Sequence, residues 1–334
     1  MSFAGSIDHR TRLENILAGK APDRPAVALW RHFPVDDQEP GNLAAAAAAF
    51  QRQYDFDLIK VTPASSFSTY DWGMRDEWLG VSEGTRSYTN TVIHQPDDWL
   101  ALPVLDPRKG RLGAQLEVLR LLAGEFSPQT PILQTIFSPL SQAKNLVGKA
   151  NLAIHARKYP DALRAGLQTI SETTRRFIEE AAKNGIDGLF YAVQFAQYGL
   201  FSEQEYCEFE KAYDLQVLES TENLWLNMLH LHGNDVMFEQ AVDYPVQIIN
   251  WHDRHTAPSL AEAARVFDGV LCGGLRREET MVLGTPAEVT REAHDAMRSL
   301  NHPKFILGTG CVVPITAPHG NLLAARRSVE TFSE

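Results

Sequence analysis

The sequence predicts a closed eight-stranded α/β barrel, and three observations predict it. Short runs rich in β-formers recur eight times, each followed by turn residues and then by a longer stretch with helical spacing. That alternation is the pattern of βα units around a parallel sheet. Eight such units close a barrel, whereas an open doubly wound sheet more often stops at about five to seven. Finally, polar residues able to do chemistry collect just after the runs, at the end of the strands where such barrels carry their active sites.

The first run is 25–30 (PAVALW) and the second 58–61 (LIKV); the third, 131–136 (PILQTI), follows a long intervening segment. The remaining five are 188–193 (GLFYAV), 226–231 (LNMLHL), 246–250 (VQIIN), 269–272 (GVLC) and 304–307 (KFIL). The segment from about 65 to 124 holds Trp72, Trp78 and Trp99 and is the least regular, which marks it as a rim insertion or lid between the second and third strands. An alanine run makes 43–54 a helix. Thr285 caps a later one, with Pro286 at its first position and Glu288 in its first turn. No repeat, low-complexity tract or flexible linker divides the chain, so 1–334 reads as one domain.

Composition narrows the function. With 334 residues, 44% hydrophobic and 22% charged, the chain can bury a large core, which excludes disordered and fibrous classes. A net charge of −11 without a long basic run argues against nucleic acid or an anionic membrane as the main partner. The opening MSFAGSIDHRTRLENIL lacks the apolar core of a signal peptide, so a cytoplasmic location is expected. Three cysteines, Cys207, Cys272 and Cys311, are too few to staple such a chain and suit a reducing compartment, where each is core filler or chemistry. No GxGxxG, Walker A loop or nucleophile-elbow serine occurs, which leaves nucleotide binding and serine hydrolysis without support.

Candidate functional residues follow the strands. Arg31 and His32 come after the first; Lys60 lies on the second and Thr62 opens its loop; Phe137 and Ser138 follow the third and Gln194 the fourth. His230 and His232 end the fifth, His252 and Asp253 the sixth, Gly273 and Gly274 the seventh, and Cys311 the eighth. Residues two apart on a strand point the same way, so His230 and His232 can aim both imidazoles at one point. A thiolate from Cys311 would complete a three-ligand zinc set with one open, catalytic position, although the histidines would also serve as hydrogen-bonded pocket residues without metal. His252 is a candidate general base or an outer partner that supports a neighbouring group. Arg31 is either a bidentate clamp on a substrate carboxylate or an ion-pair partner of Asp36 or Asp37. Arg254 reads as part of a salt-bridged loop, and Gly273-Gly274 as a tight turn or a place of close ligand approach.

Several stretches resemble uroporphyrinogen decarboxylase and its relatives, in the family's order and over nearly the whole chain. These are RTRLENILAGKAPDRPAVALWR, YDFDLIKVTP, PILQTIFSPLSQAKNL, GIDGLFYAVQ, FSEQEYCEFEKAYD, GGLRREETMVLGTPAEV and FILGTGCVVPITAPHGNLLA. The resemblance implies a single TIM barrel and two branches of chemistry. True decarboxylases carry an arginine-glutamine-alanine-glycine-arginine run after the first strand and an aspartate after the second. Arg31 matches the first arginine, but HFPVD replaces the rest, and VTPASSF offers no aspartate, Asp71 being the nearest acid. The zinc-dependent branch moves a methyl group between a cobamide protein and a thiol or other acceptor. It carries His-x-Cys after the fifth strand and a late cysteine; here HLH replaces His-x-Cys, so His230 and Cys311 carry over and His232 is a substitution.

The combined expectation is a zinc-dependent, methyltransferase-like enzyme acting on a small molecule. His230, His232 and Cys311 would hold the metal, and Arg31, Gln194 and His252 would serve catalysis at the mouth. A corrinoid carried on a partner protein would dock there, because the chain shows no cobamide domain of its own. The alternatives are a uroporphyrinogen-decarboxylase-type lyase using Arg31 and a non-catalytic barrel that binds a tetrapyrrole or corrinoid.

Overall fold

All eight expected strands form, and they form one parallel sheet. The computed structural model describes residues 7–300 and 302–332. In chain order its regular elements begin with helix α1 (His9–Leu17), strand β1 (Ala26–Val27), helix α2 (Pro40–Tyr54) and strand β2 (Ile59–Val61). The segment up to the third strand of the sheet contains β3 (Asp76–Glu77), β4 (Ser87–Tyr88) and α3 (Gly110–Phe126). Then come β5 (Ile132–Phe137), α4 (Pro139–Val147), α5 (Lys149–Lys158), α6 (Pro160–Lys183), β6 (Gly188–Val193), α7 (Glu203–Tyr206) and α8 (Ala212–Leu218). The last part is β7 (Met228–Leu231), β8 (Ile248–Trp251), α9 (Leu260–Ala263), β9 (Val270–Leu275), α10 (Pro286–Leu300), β10 (Phe305–Thr309) and α11 (His319–Thr331).

The sheet runs β1-β10-β9-β8-β7-β6-β5-β2, which is the strand order of a barrel opened between its first two strands. Alternation along the strands separates two cores. Ala26, Ala28, Trp30, Leu58, Leu133, Phe190, Met228, Ile248, Val270 and Ile306 fill the inside of the curl. Their neighbours Val27, Leu29, Ile59, Val61, Leu229, Leu231 and Ile249 pack outward against the helices. Burying each such Val, Leu or Ile contributes about 1.5–3 kcal/mol, which holds the curl against the loss of chain entropy.

Among the described residues no ladder joins β1 to β2, a departure from a fully hydrogen-bonded barrel. Both strands are too short to zip: Pro25 has no N–H to give, and Pro63 closes the other strand. Asp57 pins the seam instead. Its backbone N–H donates to the Val27 carbonyl at 2.9 Å, and its carboxylate accepts the Val27 N–H at 2.8 Å. The same buried carboxylate accepts from His9 Nδ1 at 2.9 Å, Arg12 Nη1 at 2.6 Å and Arg24 Nη1 at 2.8 Å. These charged partners hold its pKa well below the usual range although burial alone would raise it.

The segment between β2 and β5 pairs β3 with β4 in a small antiparallel sheet that the sequence pattern did not reveal. Between them the chain turns at 81–84, where Gly84 N–H donates to the Val81 carbonyl. Gly84 has φ +81°, and a Cβ there would lie 2.6 Å from the His32 Cβ, so the turn needs glycine for both its conformation and its close approach. Ser82 accepts the Ile315 N–H at 2.9 Å, and Glu83 pairs with Arg277. The turn thus touches the loops after β1, β9 and β10. The expected cap of α10 forms as read: Thr285 and Glu288 exchange side-chain and backbone hydrogen bonds across its first turn.

Candidate metal centre

Four side chains converge where β7, β8 and β10 end. One ligand atom from each of His230, His232, His252 and Cys311 lies within 4.8 Å of all the others. The Cys311 Sγ is 3.8 Å from His232 Nδ1. Ring centroids are 5.7 Å apart for His230 and His232, 5.5 Å for His232 and His252, and 6.2 Å for His230 and His252. Tetrahedral zinc with bonds of about 2.1–2.3 Å sets its donors roughly 3.4–3.8 Å apart, so small side-chain rotations bring these atoms to bonding distance.

Strand register explains the convergence. His230 pairs with Asn250 across β7 and β8, so HLH on one strand and NWH on the next run side by side with the same faces inward. The Asn250 amide donates to the carbonyls of Cys272 at 2.9 Å and Thr309 at 3.1 Å, which fixes its orientation. Its Oδ1 therefore faces His230 Nδ1 at 2.7 Å and must accept, so His230 carries its proton on Nδ1. The lone pair on His230 Nε2 is left buried and without a partner, and His252 Nε2 is also buried without a hydrogen-bond partner. Buried polar atoms are nearly always satisfied, and an unpartnered imidazole lone pair beside a thiol suits a soft divalent metal.

The electrostatics point the same way. Burial pushes the Cys311 thiol up, but the three imidazoles outweigh it and hold the thiol well below its ordinary value. Burial keeps His230 below the usual histidine range, while contact with Cys311 lifts His232 above it against its own burial. Cys311 and His230 are thereby biased toward the deprotonated forms that bind metal. Thr309 Oγ1 donates to the Cys311 carbonyl at 2.6 Å and shapes the turn that presents the sulfur.

The remaining expected residues divide. Gln194 follows β6 on the inward parity of Phe190 and Ala192, with its carbonyl accepting from the Gln197 amide. Arg31 needs correction. It shares the outward parity of Val27 and Leu29, and its guanidinium lies over the rings of Phe33 and Phe50 at 5.4 and 5.2 Å, away from the cluster. Among the described residues it makes no ion pair with Asp36 or Asp37; Asp37 faces Arg86 instead. Arg254 does sit in a polar loop, donating to the Gly274 carbonyl and pairing with Asp295 at 3.2 Å. Gly273 makes room for the Asp253 carboxylate, which a Cβ there would strike and which accepts the Gly274 N–H; Gly274 has φ +107° and lies against Ala296. Burial holds Asp253 up, at about 6.

Sequence reasoning gave Asn250 no role, and it placed His252 at the mouth as a base or outer partner, not as a possible ligand. The signal was present: NWH repeats the spacing of HLH on the neighbouring strand. Buried His32 and Lys60 also line the inward face. Burial, reinforced by Lys60, holds His32 down at about 3, so it stays neutral.

Comparison with known proteins agrees with this architecture. A methylcobamide:CoM methyltransferase, MtbA, of Methanosarcina acetivorans is 23% identical over 306 residues, spanning 88% of this chain and 86% of that protein. A methyltransferase from Methanosarcina mazei shares the fold with a TM-score of 0.84 at 18% identity, over 97% of this chain and 99% of that one. A B12-independent methionine synthase from Shewanella sp. W3-18-1, solved with selenomethionine, follows at 0.60 and 13% identity, over 92% and 94%. The family model described as uroporphyrinogen decarboxylase (URO-D) matches residues 8–332. With that match running from α1 through α11, the chain belongs to the uroporphyrinogen decarboxylase family.

Proposed function

We propose that this single-domain protein is a zinc-dependent methyltransferase that moves a methyl group from a corrinoid, carried on a partner protein, to a small acceptor. The observation that carries the reading is the convergence of two unpartnered imidazole nitrogens, a third imidazole and a thiol at the C-terminal ends of the strands. His230, His232 and Cys311 would hold the metal, which supplies Lewis acidity that lowers the pKa of a thiol or hydroxyl bound at its open position. His230 is fixed in the ligating tautomer by Asn250. His252 faces the same centre from β8 and takes up the acceptor's proton. Gln194 orients the acceptor at the rim. The 81–84 turn, held by Arg277 and Ile315, acts as a lid that excludes water from the reacting groups. The distant likeness to MtbA supports the corrinoid donor, and the altered first run and missing aspartate weigh against the decarboxylase alternative.

The test begins with elemental analysis of protein purified without added metal, followed by zinc titration. About one zinc per chain is expected, with Cys311→Ser weakening it by at least ~100-fold because a thiolate becomes a poor neutral ligand. His252→Ala should retain zinc within about tenfold while losing methyl transfer from methylated corrinoid to thiol. Absence of zinc binding in the unaltered protein overturns the reading, and loss of zinc in His252→Ala comparable to that in Cys311→Ser reassigns His252 as a fourth ligand.

A further inference from the structure

Lys60 lies on β2 between Ile59 and Val61, which pack outward, so its side chain belongs to the inside of the curl with Leu58. Its Nζ reaches the hydroxyl of Thr62 at 3.2 Å, one inward position nearer the mouth. The residue is 8% exposed. An ammonium so placed normally faces a carboxylate, because burying an unpaired charge is costly. Arg12, Arg24 and Arg277 follow that rule: Arg12 and Arg24 share Asp57, and Arg277 holds Glu83. Among the described residues Lys60 has no carboxylate in ion-pair range; its compensation is one hydroxyl and the face of Phe190 at 4.5 Å. That ring stacks on His230, with centroids 5.1 Å apart and 26° between planes. The ammonium is therefore one aromatic ring away from the metal centre, on the same interior surface. Burial also pushes its pKa down to about 7, with the Cys311 sulfur working the other way.

We propose that Lys60 is the seat for an anionic group, a carboxylate or sulfonate, on the small acceptor that enters the mouth. Thr62 steadies the ammonium, and His32, buried and neutral, adds no competing charge. The acceptor's other end then reaches the His230, His232 and Cys311 centre across the Phe190 ring. This last placement rests on the metal reading above; the anion seat itself does not.

Two arms test the pair separately. In the first, cobalt-substituted protein is titrated with 3-mercaptopropionate and with 2-mercaptoethanol, following the thiolate-to-cobalt absorption. The unaltered protein should bind the anionic thiol roughly 10- to 100-fold more tightly, the range of one charge-assisted hydrogen bond. Lys60→Met should erase that ratio and leave the neutral thiol's affinity unchanged, which a purely structural lysine would not do. Because the substitution replaces an unpaired buried ammonium with an apolar chain of similar length, its thermal midpoint should equal or exceed that of the unaltered protein. In the second arm, metal-free protein is melted with propionate or propionamide at matched ionic strength. Propionate alone should raise the midpoint, and only when Lys60 is present. Equal binding of the two thiols, or an anion preference that survives in Lys60→Met, overturns the proposal. No cobalt–thiolate absorption with a propionate effect intact overturns the metal reading and keeps the seat; loss of both signals overturns both.

Discussion

Replacing Asn250 by leucine should damage metal binding more specifically than its distance from the metal suggests. The side chain is fully buried and makes three hydrogen bonds: it accepts from His230 Nδ1 at 2.7 Å and donates to the Cys272 and Thr309 carbonyls at 2.9 and 3.1 Å. Leucine is close to isosteric but supplies none of them. Leaving these groups unmatched should lower the stability of the metal-free protein by about 2–4 kcal/mol. The larger consequence is chemical. With no acceptor at Nδ1, His230 is free to place its proton on Nε2, and its ring is no longer held toward His232, His252 and Cys311. Loss of such an outer partner typically weakens metal affinity about 10- to 100-fold, or roughly 1.4–2.8 kcal/mol. The assay is competition of the protein with a chromophoric zinc chelator, run beside urea melts of the metal-free forms. If Asn250→Leu loses stability but binds zinc within about twofold of the unaltered protein, His230 is not held by Asn250 in a ligating tautomer.

Two further outcomes concern the seam. Asp57→Asn should cost about 3–5 kcal/mol in chemical denaturation, because it strips the charge from a buried carboxylate that Arg12, Arg24 and His9 surround; a loss under 1 kcal/mol would mean that β1 and β2 are held otherwise. His9 faces strong opposing effects, burial lowering its pKa and the hydrogen bonds to Asp55 and Asp57 lifting it to about 9. A pKa raised on folding gives stability that is complete below the unfolded value of about 6.5 and fades as pH climbs through about 9, on the order of 3 kcal/mol shared with the two aspartates. His9→Gln should therefore flatten the alkaline limb of a stability profile, and an unchanged limb would show that His9 does not titrate with folding.

How much of this was legible in the chain differs by element. The eight strands were, because a parallel sheet buried on both faces leaves unbroken apolar runs such as GLFYAV. So were His230, His232 and Cys311 as neighbours, since period-two spacing and the shared end of the strands bring them together. β3 and β4 were not, each being two residues long with polar composition and held by turn and tertiary contacts. Arg31 misled because its position after a strand was weighed and its parity was not: an odd number of residues from Trp30's inward face turns it toward Phe50. The role of Asn250 depends on register between strands twenty residues apart, which a single strand's pattern does not encode.

The pairing of β1 with β10 has a consequence for how the chain is made. Ala26 finds its ladder partner in Ile306, so the first strand of this sheet to be synthesised waits for the last. At synthesis rates of about 5–20 residues per second that wait is roughly 15–60 s. During it, an apolar strand edge stays unprotected, and the centre lacks Cys311, which follows β10. A nascent chain stalled before residue 305 would thus present three histidines without their thiol, and the sheet closes and the cluster becomes whole in the same final step.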